Sequence, residues 1–126
     1  MPSLTSLAAV GLGAALGAWL RWGLTALLAS NARVPFGTLA ANLVGGFLVG
    51  IAVAMFAERV DIPPAWRLFI ITGFLGGLTT FSTFSAESVA MLMRGDYGWA
   101  LVHAGSHLFG SLALTALGFV TYRALA

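Results

Sequence analysis

A chain of 126 residues suffices for one domain, and with 60% hydrophobic and 8% charged residues it has far fewer charges than the roughly 25% of an ordinary soluble domain. So few charges cannot build a water-exposed surface, so lipid is expected to cover most of the outside. The formal charge of +2 is too small for a nucleic-acid-binding patch, and the absence of Cys excludes disulfides and thiolate metal sites.

A bilayer core of about 30 Å needs about 20 apolar residues per helix, and four stretches qualify. The first runs from about Leu4 to Ala29, with Arg21 inside it, two turns from its end. Its start, Met1–Pro2–Ser3–Leu4, lacks the basic region of a signal peptide, so this span is expected to be retained. The second runs from about Phe36 to Ala57. The third runs from about Trp66 to Met93 and is predicted to break near its middle. The fourth runs from about Tyr97 to Leu125. The connections, Ser30–Pro35, Glu58–Ala65 and Arg94–Asp96, are short, so successive spans are antiparallel and residues 1–126 form a single four-helix, all-α membrane domain. Three G-x-x-x-G pairs, Gly13/Gly17, Gly46/Gly50 and Gly73/Gly77, read as close helix packing.

This topology puts both termini and the middle connection on one side, with Arg59, Arg67 and Arg123. Arg33 and Arg94 lie on the other. Three against two is almost no bias under the positive-inside rule. A chain so balanced can insert in both orientations, which points to an antiparallel homodimer.

Catalysis is not expected. The acids are Glu58, Asp61, Glu87 and Asp96, three of them assigned to connections, and no Ser-His-Asp arrangement suggests itself. His103 and His107 are four apart on one helix, but the sequence offers no third ligand that would make them a metal site. The third span is odd for a membrane: Gly76–Gly77 is followed by Thr79, Thr80, Ser82, Thr83 and Ser85. Adjacent glycines and hydroxyls favour a helix break, and backbone freed at membrane depth is tolerated only inside protein or along a watery path. Such carbonyls could bind a cation, and amides and hydroxyls an anion. The alternative is a kinked helix whose hydroxyls bond their own backbone. Phe81 and Phe84 share a face, and ring edges carry positive potential. Asn42 is polar at depth with Thr38 one turn earlier, and His103, His107, Ser111 and Thr115 form a stripe on the fourth span. These groups are either interhelical bonds or a pathway lining. Many donors and no acid in the first two spans favour an anion.

Three motifs carry a resemblance. Gly13-Ala14-x-x-Gly17-Ala18-x-x-Arg21-Trp22, Gly37-Thr38-Leu39-x-x-Asn42-x-x-Gly45-x-Phe47-x-x-Gly50 and Gly73-x-x-Gly76-Gly77-x-Thr79-Thr80-Phe81-Ser82-Thr83-Phe84-x-x-Glu87 stand in the order found in the Fluc (CrcB) fluoride channels, which this chain closely resembles. The resemblance implies a dual-topology antiparallel homodimer with two fluoride pores in the cell inner membrane, exporting fluoride passively and giving fluoride resistance. It implies pore roles for Asn42, Phe81 and Phe84. Beside them the expected lining comprises Thr38, Thr80, Ser82, Thr83, Ser111, Thr115 and Arg21. It also implies a structural Na+ at the dimer interface, held by the backbone carbonyls of Gly76 and Thr79. Two other functions compete: a small four-helix drug exporter, which needs an acid where the first span has only Arg21, and a structural membrane subunit without transport.

Overall fold

In the computed structural model, which describes residues 2–29 and 31–126, the chain is all-helical, with four helices long and apolar enough to cross a membrane. Met1, and Ser30 at the start of the first expected connection, lie outside the described residues. Helix α1 (Leu4–Leu27) starts at Ser3, whose hydroxyl accepts from the Ser6 amide and so satisfies one of the orphan donors of the first turn. Helix α2 (Phe36–Glu58) follows Pro35, which cannot continue a helix backwards.

The third span, Pro64–Met93, is composite. It opens with α3 (Pro64–Arg67), widens into a π-helical segment (Leu68–Leu75), returns to a single turn, α4 (Gly76–Leu78), breaks, and resumes as α5 (Phe81–Met93). Helix α6 (Tyr97–Leu125) returns across the membrane.

The break falls later than the glycine pair suggests. Gly76 and Gly77 are helical, and the extended residues are Thr79 (φ −87°, ψ 155°) and Thr80 (φ −151°, ψ 122°). The physical reason is packing. A Cβ on Gly77 would lie 3.1 Å from Ala14 Cα and 3.1 Å from Ala18 N, and one on Gly17 would lie 2.7 Å from Leu78 N. These glycines let the backbones of α1 and the third span touch, and their flexibility is not spent on the break. Gly50 does the same for α2 against α6, where a Cβ would meet Phe119 N at 2.8 Å.

An ion pair forms at each end of the bundle. Arg123 Nε meets Glu58 Oε1 at 3.3 Å at one end, and Arg33 Nη1 meets Asp96 Oδ1 at 4.0 Å at the other. At the first end Arg67 Nη2 also donates to the Phe56 carbonyl at 3.2 Å, satisfying a group near the C-terminus of α2. The buried apolar centre consists of Ala41, Ala52, Phe56, Leu75 and Leu78. Large apolar side chains such as Leu4, Trp22, Leu101, Phe109 and Leu125 point outward. That is the inverse of a soluble domain and suits a hydrocarbon solvent.

Candidate functional site

The break in the third span organises the site. In an unbroken helix the Thr80 amide would bond to the Gly76 carbonyl four residues back. Here it donates instead to Asn42 Oδ1 of α2, at 2.8 Å, while Asn42 Nδ2 donates to the Thr80 carbonyl at 3.0 Å. One side-chain amide therefore replaces the helical partners of an extended residue, which is what buried backbone requires in a membrane. Thr80 also caps the new helix, its hydroxyl accepting from the Thr83 amide at 3.1 Å. The same hydroxyl lies 3.2 Å from Ser82 Oγ and 3.3 Å from Thr83 Oγ1.

Pairing with Thr80 in both directions fixes which way the Asn42 amide points. Its second N–H then faces His107 Nδ1 of α6, at 3.0 Å. Nδ1 must accept, so the neutral ring carries its proton on Nε2. That nitrogen is buried and has no hydrogen-bond partner among the described residues. Thr80, Asn42 and His107 thus link the third, second and fourth spans.

Against this network lies a cavity of about 550 Å³. Its wall is formed by Asn42, Gly45, Gly46 and Val49 of α2, by Thr79 and Thr80 at the break, by Phe81 and Phe84 of α5, and by Ala104, His107, Leu108, Ser111 and Leu112 of α6. The two phenylalanine rings lie 5.6 Å apart and are tilted by 53°. Phe84 sits under the histidines, 5.2 Å from the His103 ring and 4.6 Å from that of His107. Phe81 is 79% exposed although it borders the cavity.

Of the residues expected to line a pathway, Asn42, Thr80, Phe81, Phe84 and Ser111 reach this cavity, as does Thr79. The rest sit behind or beside it. The Thr38 hydroxyl, buried, donates to Glu87 Oε2 at 2.7 Å. Arg21 Nε donates to the Gly77 carbonyl at 3.0 Å and ties α1 to the turn before the break. Ser82 and Thr83 belong to the capping cluster around Thr80. Thr115 packs near Gly46, a turn beyond Ser111. The sequence hinted at His107 only through its four-residue stripe with Ser111. Its bond to Asn42 joins residues 65 apart and has no local signal.

The family profile described as "CrcB-like protein, Camphor Resistance (CrcB)" matches residues 8–119. The chain belongs to the CrcB family. Its CrcB relatives include a protein of Cupriavidus pinatubonensis (strain JMP 134 / LMG 1197), 64% identical over 119 residues, and one of Cupriavidus taiwanensis, 65% identical over 119 residues, each alignment covering 94% of both chains. A relative from Ralstonia pickettii (strain 12J) is 62% identical over 116 residues, 91% of this chain and 92% of its own. All three carry the name "Fluoride-specific ion channel FluC", which is the name of a channel and not of an enzyme. With four spans and this family, the chain is a multi-pass membrane protein.

Proposed function

We propose that this CrcB-family protein is a fluoride-selective passive channel, and the observation that carries the reading is the cavity walled by the Phe81 and Phe84 rings, the Thr80–Asn42–His107 network and Ser111. Fluoride is small and strongly hydrated, so a path must replace its water with several donors, each weak enough to release it. The hydroxyls of Thr80 and Ser111 supply hydrogen bonds, and ring edges supply weaker positive potential. Asn42 acts through its neighbours: its amide hydrogens are engaged, and it holds the Thr80 backbone open and the His107 proton on Nε2. Among the described residues no acid lines the cavity wall, which favours an anion over the cationic drug of a proton-coupled exporter.

The working form is an antiparallel homodimer with two pores, in the cell inner membrane, exporting fluoride and conferring resistance to it. An apolar ring as exposed as Phe81 at the cavity wall, and the near balance of Arg between the two ends, support a second copy in the opposite orientation. The backbone suits the Na+ that the family resemblance implies. Thr80's bond to Asn42 leaves the Gly76 carbonyl without its helical partner, and extended Thr79 turns its own carbonyl out of the helix. Gly76 and Thr79 would hold the ion, whose charge would neutralise these carbonyl dipoles and fix the break.

The test is efflux from liposomes containing the purified protein and loaded with fluoride or chloride, read with ion-selective electrodes. Fluoride should leave quickly and chloride stay. Equal rates would overturn the selectivity, and no flux of either ion would leave a structural subunit.

A further inference from the structure

The sequence offered two histidines and no third ligand. Folding supplies one, Glu87 of α5. One ligand atom from each of Glu87, His103 and His107 lies within 4.8 Å of the others. Glu87 Oε1 and His103 Nε2 are 3.6 Å apart, close to the separation of about 3.3 Å that two ligands take on a tetrahedral ion with bonds of about 2.0 Å. Metal binding would require side-chain rotation to close the remaining gaps. Both ring nitrogens of His103, Nε2 of His107 and Oε1 of Glu87 are buried without hydrogen-bond partners among the described residues. His103 is 0% and His107 5% exposed. Buried polar atoms are costly unless satisfied, and one from each of the three side chains converges here. The other carboxylate oxygen is held by Thr38, which orients Glu87 as an outer partner orients a metal ligand.

We infer that Glu87, His103 and His107 form a capture site for a borderline transition-metal dication such as Zn2+, and that its occupancy shuts the adjacent cavity. Two imidazoles and one carboxylate suit Zn2+ and leave a fourth position open for water or an anion. The inhibitory sense comes from the His107 tautomer. A metal on Nε2 takes that atom's lone pair, so the ring proton must move to Nδ1, where Asn42 Nδ2–H already points from 3.0 Å. Two donors then face each other and the bond breaks. Metal capture therefore loosens the Asn42 tie to Thr80, a residue of the cavity wall.

Two measurements test this. The first is equilibrium dialysis of the full-length purified protein against ZnCl2, with bound zinc determined by atomic absorption, which needs no fluoride flux. Wild type should bind zinc at one per chain, and His103→Phe, which keeps a ring on Phe84, and Glu87→Gln should each weaken binding by about 10-fold or more. The second compares each protein's fluoride efflux from liposomes with and without ZnCl2. Wild-type flux should fall by about 10-fold or more and return with a chelator, while the variants keep their own zinc-free rates. Wild type without bound zinc, or both variants binding like wild type, would overturn the site. Zinc bound without loss of flux would overturn the inhibition. The shutting of the pore rests on the channel reading, but wild type without fluoride flux would defeat that reading alone, because dialysis still decides the metal site.

Discussion

Asn42 satisfies three polar groups with one side chain: the Thr80 amide, the Thr80 carbonyl and His107 Nδ1. Asn42→Asp keeps the size but loses both N–H donors, setting a carboxylate against the Thr80 carbonyl and the His107 lone pair. Unpaired buried charge and acceptors each cost about 1–3 kcal/mol or more. We expect the variant to lose most of its fluoride efflux and to melt earlier in detergent. Unchanged efflux would place Asn42 off the path. Phe81→Ile and Phe84→Ile remove the ring edges while keeping apolar bulk, and both should slow fluoride efflux in proteoliposomes. Asp61 lies at the other extreme. Its carboxyl is held below the usual carboxylate range by the hydrogen bond from Arg59, so the pair's stabilisation is present at neutral pH and lost as pH falls through that lowered value. Both groups are fully exposed, and exposed pairs contribute little. Asp61→Asn should leave the neutral-pH melting temperature unchanged.

Among the elements, the third span carries the strain of the design. Its first half is pressed against α1 through Gly13, Gly17, Gly73 and Gly77, its second half against α6, and the extended Thr79–Thr80 pair joins them. Adding side-chain volume at the α1 contact should separate the helices without touching the cavity. Gly77→Val should destabilise the fold by about 1–3 kcal/mol, as overpacking does, read as a lower melting temperature. The number and order of spans were legible in apolar length and in the punctuation by Pro35, Pro63–Pro64 and Gly95–Asp96. The G-x-x-x-G pairs were also legible as packing, because only a missing side chain permits backbone contact. The place of the break was not. Gly76–Gly77 has the local signature of a break, yet its conformation is decided by Ala14 and Ala18 on another helix. The π-helical Leu68–Leu75 has no apolar pattern that distinguishes it from an α-helix.

At the scale of the whole molecule, both ends are latched by Arg–carboxylate pairs, Arg123–Glu58 and Arg33–Asp96. Neither end carries a decisive positive excess, so nothing in the Arg count forces one orientation. Tags on the N- and C-termini should be reached from both faces of the membrane, in comparable amounts. Access from one face alone would remove the antiparallel pairing, and with it the two-pore arrangement.

By itself the sequence determined that the chain lives in lipid, that it crosses four times and that its third span is polar at depth. Composition and apolar length are additive properties of the chain and need no fold to be read. The motifs also placed it near its family. Only the tertiary structure decided which polar groups meet. Asn42 holds Thr80 and His107, and Glu87 lies beside the histidine pair for which the sequence offered no third ligand. Those partners lie on different helices, 38 and 65 residues from Asn42, and which atoms face one another depends on helix rotation and close packing, which no local pattern encodes.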